Sequence, residues 1–266
     1  MNKAIGIFDS GVGGLTVAKQ IINTLPNEDI IYFGDSLRAP YGSRSVSELQ
    51  QFSRQILDFL LSNNVKALVV ACGTISARVF DCVADMAGDV PIIGMVEPGV
   101  AEALNTTKTG RIGVVATEGT VLSKAHEKAI LAANRGCFVT SVACPLFVPL
   151  AEEGWVDNEV ADLTAKIYLS EFAPGNVDTL VLGCTHYPLL IKSIGKAVGS
   201  EVSIVDPAVG LAHQLKHILE EKGMLKEDGE PEYKFYVSGS KEKFDKMTVL
   251  ALGKSYASEV LINHIK

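Results

Sequence analysis

Three short motifs occur twice in this chain, in the same order and at nearly the same spacing. "IGIFDSGVGGLTV", starting at Ile5, resembles "IGVVATEGTVLS", starting at Ile112. "ALVVACGT", containing Cys72, resembles "TLVLGCTH", containing Cys184. "MVEPGV", containing Glu97, resembles "IVDPAV", containing Asp206. A single pair would be ordinary among α/β proteins, but three in order indicate one unit built twice. The expected architecture is two pseudo-symmetric α/β domains related by a pseudo-two-fold, facing each other across a cleft.

The local pattern agrees with this. Short β-rich apolar runs at 4–8, 29–33, 67–71, 91–95, 111–115, 137–142, 178–182 and 202–205 alternate with helical spacings. Residues 45–63 place Val46, Leu49, Ile56, Leu57 and Leu60 along one helical side, and Ser45 with Glu48 has the spacing of a capping box. Strands and helices in alternation form mostly parallel sheets, whose ligands sit at the carboxyl ends of the strands. The stretch 211–266 falls outside the repeat and reads as a helix (211–221), a charged loop (222–232), a strand (233–237) and a further helix. It is expected to complete the first half. The domains would then be 1–96 with 210–266, and 97–209, with the active site in the interdomain cleft.

A formal net charge of −7 argues against nucleic acid or an anionic membrane as the main partner. No apolar run reaches the roughly 18–20 residues that span a bilayer. "MNKAIGIFDS" shows no signal-peptide core, so a cytoplasmic location is expected. The five cysteines are odd in number and none lies in a CxxC, so a disulfide framework is not expected. Any one of them, taken alone, reads as a small buried hydrophobe.

The repeat changes the reading of two of them. Cys72 and Cys184 each follow an apolar strand and precede an expected helix start, near Thr74 and Pro188 respectively. Two facing halves would bring both thiols to one cleft. Free N–H groups at helix starts lower a thiol's pKa and bind carboxylates. His186, two residues after Cys184, is a local proton acceptor or donor. Asp9 and Ser10 follow the first strand, and Gly11, Gly13 and Gly14 permit close backbone approach. Asp9 reads either as the cap of a tight strand-to-helix turn or as a carboxylate facing the cleft. Its counterpart in the second half is Ala116, so the site is chemically lopsided. "FGDSLRAPYGSRS" (33–45) reads as a solvated loop or as a substrate lip with Tyr41 and Gly42 over the pocket. Glu152 and Glu153 read as a solvated helix end unless one faces the second thiol. No metal-ligand spacing, pyridoxal motif or dinucleotide fingerprint is present, so neither metal nor cofactor is expected.

With "YFGDSLRAPYG", "CPLFVPLAEEG", "LVLGCTHYPLL" and "DPA" at 206–208, these motifs cover most of the chain. The sequence resembles the glutamate branch of the cofactor-independent aspartate/glutamate racemase family; "GCTHYPLL" separates it from the aspartate branch. The resemblance implies an isomerase that racemises L-glutamate to D-glutamate by a two-thiol mechanism, supplying peptidoglycan synthesis and hence cell-wall biogenesis and cell shape. It implies Cys72 and Cys184 as the catalytic pair, with Asp9 supporting Cys72, and Glu152 with His186 supporting Cys184. It implies substrate contacts at Asp9, Ser10, Tyr41, Gly42, Gly73, Thr74, Thr185 and His186, and a homodimer. Cys82, Cys137 and Cys144 match no catalytic position and are left as core.

One departure stands out. The family usually reads A-C-N-T at the first cysteine, whereas this chain reads Ala71-Cys72-Gly73-Thr74, without the asparagine amide. A water or the Gly73 N–H would have to replace it, or glutamate binding weakens by about 1–3 kcal/mol. The alternatives are a racemase of another amino acid or a hydantoin, a cysteine-dependent amidohydrolase using Cys184 and His186, and a binding or regulatory homologue without turnover.

Overall fold

A computed structural model describes residues 3–172, 175–253 and, for the backbone alone, 260–262. The extreme ends of the expected first domain, 1–2 and 263–266, lie outside the described residues. In chain order the elements are β1 (Ile5–Asp9), α1 (Leu15–Thr24), β2 (Ile30–Gly34), α2 (Val46–Ser62), β3 (Ala67–Val70), α3 (Gly73–Arg78), α4 (Phe80–Ala87), β4 (Ile92–Gly94) and α5 (Val96–Thr106). Then come β5 (Arg111–Ala116), α6 (Glu118–Ser123), α7 (Ala125–Ala133), β6 (Phe138–Ala143), α8 (Phe147–Glu152), α9 (Glu159–Tyr168), β7 (Thr179–Leu182), α10 (Ile191–Val198) and β8 (Ser203–Val205). The last are α11 (Pro207–Glu221), β9 (Tyr233–Val237), α12 (Lys241–Ala251) and β10 (Val260–Ile262).

The strands form two sheets, ordered β10-β9-β2-β1-β3-β4 and β6-β5-β7-β8, and every described pairing is parallel. The repeat is visible in that order: β2-β1-β3-β4 in the first sheet matches β6-β5-β7-β8 in the second. Parallel strands need crossover connections, and the crossing helices cover both faces. Alternation along β1 shows the layering. Ile5 and Ile7 enter the core shared with α1, α11 and α12, while Phe8 enters the opposite core, shared with α2, α3 and α4.

α2 starts where its sequence signals: the Glu48 N–H donates to Ser45 Oγ at 3.3 Å, and the Ser45 N–H donates back to Glu48 Oε2 at 2.9 Å. α11 begins at Pro207, ahead of the expected 211, because Asp206 caps it by accepting from the Ala208 N–H at 3.0 Å and Pro207 occupies its first turn. Although α11 follows the second sheet, it buries Leu211, Leu215 and Leu219 against the first. β9 then pairs with β2, and β10, which sequence pattern did not reveal, pairs with β9. Among the described residues no helix is long and apolar enough to cross a membrane.

Candidate active site

The carboxyl ends of the two sheets meet around one small cavity of about 30 Å³. From the first half it gathers Ser10, Tyr41, Gly42, Cys72, Gly73 and Thr74; from the second, Thr117, Glu152, Cys184, Thr185 and His186. One water needs about 10–15 Å³ of such space, so the cavity as it stands admits only one or two waters. A second cavity of about 350 Å³ adjoins it, sharing Pro40, Gly42, Thr117, Val148 and Glu152. Asp9 does not line the small cavity. It lies behind it, fully buried, accepting from the Gly11 N–H at 3.0 Å and from the Thr185 hydroxyl at 3.5 Å.

Cys72 caps α3, just after β3, and is 4% exposed. The expectation of a thiol acidified by a helix start is corrected here. Burial, reinforced by the Asp9 charge, pushes Cys72 up to about 12, although the Ile75 N–H and the Ser10 hydroxyl donate to its sulfur. Six residues of helix do not offset that loss of hydration. The element after Cys184 also differs from expectation. Tyr187–Leu190, with Pro188 in its first turn, is a 3-10 turn, and α10 begins only at Ile191.

Cys184 has a different neighbour. Its sulfur lies 3.8 Å from His186 Nδ1, and His186 Nε2 lies 3.2 Å from Glu152 Oε1. Burial alone would lower His186. The hydrogen bonds to Cys184 and Glu152, with the charges of Cys184 and Asp9, outweigh it and raise the imidazole to about 10. The balance favours the protonated imidazole. In turn its hydrogen bond holds the Glu152 carboxyl below the usual range. Burial raises Asp9, against the opposing charge of His186.

Bonds across the cleft hold the halves together. Thr16 Oγ1 donates to the Thr185 carbonyl at 2.9 Å, and the Thr74 and Thr117 hydroxyls lie 3.1 Å apart. Gly73 meets the second half backbone to backbone, and a Cβ there would run into the Gly183 carbonyl oxygen. Cys137 and Cys144 are buried, whereas Cys82 is only half-buried. Glu153 is exposed. Thr117 was not among the residues singled out from the sequence. The repeat held the signal, since Thr117 occupies the place in the second half that Ser10 occupies in the first.

The sequence profile of the Asp/Glu/Hydantoin racemases matches residues 5–215. The chain belongs to that racemase family. A glutamate racemase of Geobacter metallireducens is 52% identical to this racemase-family chain over 228 residues, covering 86% of it and 84% of the relative. One from Neisseria meningitidis is 43% identical over 254 residues, covering 95% and 94%. The crystal structure of glutamate racemase from Francisella tularensis in complex with D-glutamate superposes with a TM-score of 0.92 at 39% identity, covering 100% of this chain and 98% of that one.

Proposed function

We propose that this protein is a glutamate racemase that interconverts L- and D-glutamate without a cofactor, using Cys72 and Cys184 as its two acid/base groups. The observation that carries the mechanism is the pair of thiols, one from each half, on a single small cavity. The substrate assignment rests on glutamate racemases that are 52% and 43% identical over most of the chain.

One cysteine, as thiolate, takes the α-proton from one face of the substrate, and the other, as thiol, delivers a proton to the opposite face. Afterwards the two have exchanged protonation states, and the reverse reaction starts from there. Inversion needs two such groups because a single base returns its proton to the face it came from. The His186 cation beside Cys184 stabilises the thiolate on that side and is held by Glu152. On the other side Ser10 donates to Cys72. Thr74 and Thr185 bind carboxylate oxygens, the Tyr41–Gly42 lip and Gly73 complete the wall, and Asp9 supports the Cys72 side from behind. Closing on the substrate expels water, which strengthens each of these interactions.

The same reading divides the chain into a first domain of 1–96 with 210–266 and a second of 97–209. It makes the protein a cytoplasmic homodimer that supplies D-glutamate to peptidoglycan. The test is turnover of L-glutamate in D2O, stopped early. The D-glutamate formed should carry α-deuterium while the recovered L-glutamate stays protiated, because each thiol holds one proton. Deuterium appearing equally fast in recovered L-glutamate would overturn the two-thiol mechanism, and an inert substrate would overturn the glutamate assignment.

A further inference from the structure

The loop between β2 and α2 carries Tyr41 and Gly42 to the cavity, and one buried side chain outside the cavity holds that loop in shape. Asp35, directly after β2, is fully buried. Its Oδ2 accepts from the Tyr41 hydroxyl and, at 2.5 Å, from Arg38 Nε; its Oδ1 accepts from the Ser238 hydroxyl at 2.7 Å. Its own N–H donates to the Asp9 carbonyl at 3.0 Å, tying it to the strand that ends at the candidate site. Three side-chain donors on one buried carboxylate make a directional clamp of charge-assisted bonds.

Each donor reaches a different part of the lip. Tyr41 is buried, with its ring 5.5 Å from that of Phe52. Arg38 is held by Asp35, by Gln55 Oε1 at 2.5 Å and over the Phe52 ring at 4.2 Å. Its carbonyl accepts from Arg44 Nη2 at 3.0 Å, which closes the loop on itself. Ser238, in the turn after β9, also accepts from the Leu37 N–H at 3.0 Å. The lip therefore hangs from a segment near the other end of the chain. Its far side rests on the second half, where the Gly42 carbonyl lies so close to Gly119 that a Cβ there would strike it.

We propose that Asp35 is a positioning residue: its carboxylate holds the Tyr41–Gly42 lip in the closed arrangement over the cavity and couples that lip to the C-terminal segment through Ser238. It touches no substrate. The proposal rests on the racemase reading for its kinetic arm, and a second arm stands apart from activity. Asp35→Asn keeps the shape but loses the charge and one acceptor, so the lip is expected to loosen. With the thiols untouched, KM for glutamate should rise roughly tenfold while kcat changes less than about threefold, the signature of lost binding rather than lost chemistry. Tyr41→Phe should act in the same direction and more weakly. Adding Tyr41→Phe to Asp35→Asn should cost little more, since the two share one bond.

The second arm is limited trypsin digestion of the full chain, which cuts after arginine. Arg38 and Arg44 are tied down in the closed lip, so cleavage there should be slow in the wild type and several-fold faster in both variants. Tm, read alongside, separates local loosening from global loss. Wild-type KM and a wild-type digestion pattern in folded Asp35→Asn and Tyr41→Phe would overturn the proposal. So would a fall in kcat with KM unchanged. If the wild type fails to turn over glutamate while the digestion difference persists, the substrate reading falls and the clamp stands.

Discussion

Gly73 and Gly183 stand next to the two cysteines, on facing loops, with no side chain between them. The missing asparagine therefore has a steric correlate, because the halves are too close at this point for any Cβ. Gly73→Ala should force the loops apart, cost about 1–3 kcal/mol of stability as overpacking does, and lower kcat/KM. Thermal melts and steady-state rates check both. Gly73→Asn should not restore a family-like contact; a variant tighter for glutamate and equally stable would show that the loops part without penalty. Among single residues, legibility followed chemistry. Cys72 and Cys184 could be singled out because the repeat sets them at matching strand ends, and His186 because it follows Cys184 by two residues. Asp35 could not, because in "FGDSLRAPYG" it reads as one more turn former and its partner Ser238 is remote in sequence. The high pKa of Cys72 was likewise hidden, since it comes from burial by residues of several elements.

α7 carries a buried histidine outside the catalytic proposal. His126 is 4% exposed, its Nε2 has no hydrogen-bond partner among the described residues, and burial lowers it to about 4. The unfolded chain takes up a proton near pH 6.5, while the folded one resists until about 4. The contribution of His126 to stability is thus greatest above 6.5 and falls as pH drops through that window, by on the order of 3 kcal/mol in total. His126→Asn should flatten the fall in Tm between pH 7 and 4.5, whatever it does to Tm at pH 7. An unchanged slope would assign the acid sensitivity elsewhere. At this scale the core strands and α2 were legible because periodicity and a capping box sit in the local sequence. The start of α11 was not, because Asp206 and Pro207 precede its apolar spacing, and β10 is a short edge strand whose partner β9 lies across α12.

In the whole molecule one strand order is built twice, yet the chemistry is not. Asp9 ends β1, and Ala116 ends the matching β5. Asp9→Asn should slow the reaction by roughly 10²–10⁴-fold if the carboxylate assists proton transfer. Initial rates from each pure enantiomer should show the same fractional loss of kcat/KM in both directions, and wild-type rates in the variant would remove Asp9 from the mechanism. The equal loss follows from the substrates, because mirror images have equal free energy and no protein group alters their equilibrium. The asymmetry between Asp9 and Ala116 therefore cannot make the cleft a ratchet. Left alone, it brings any pool of the two hands to equal parts, and a lasting surplus of one hand is created by whatever withdraws the other.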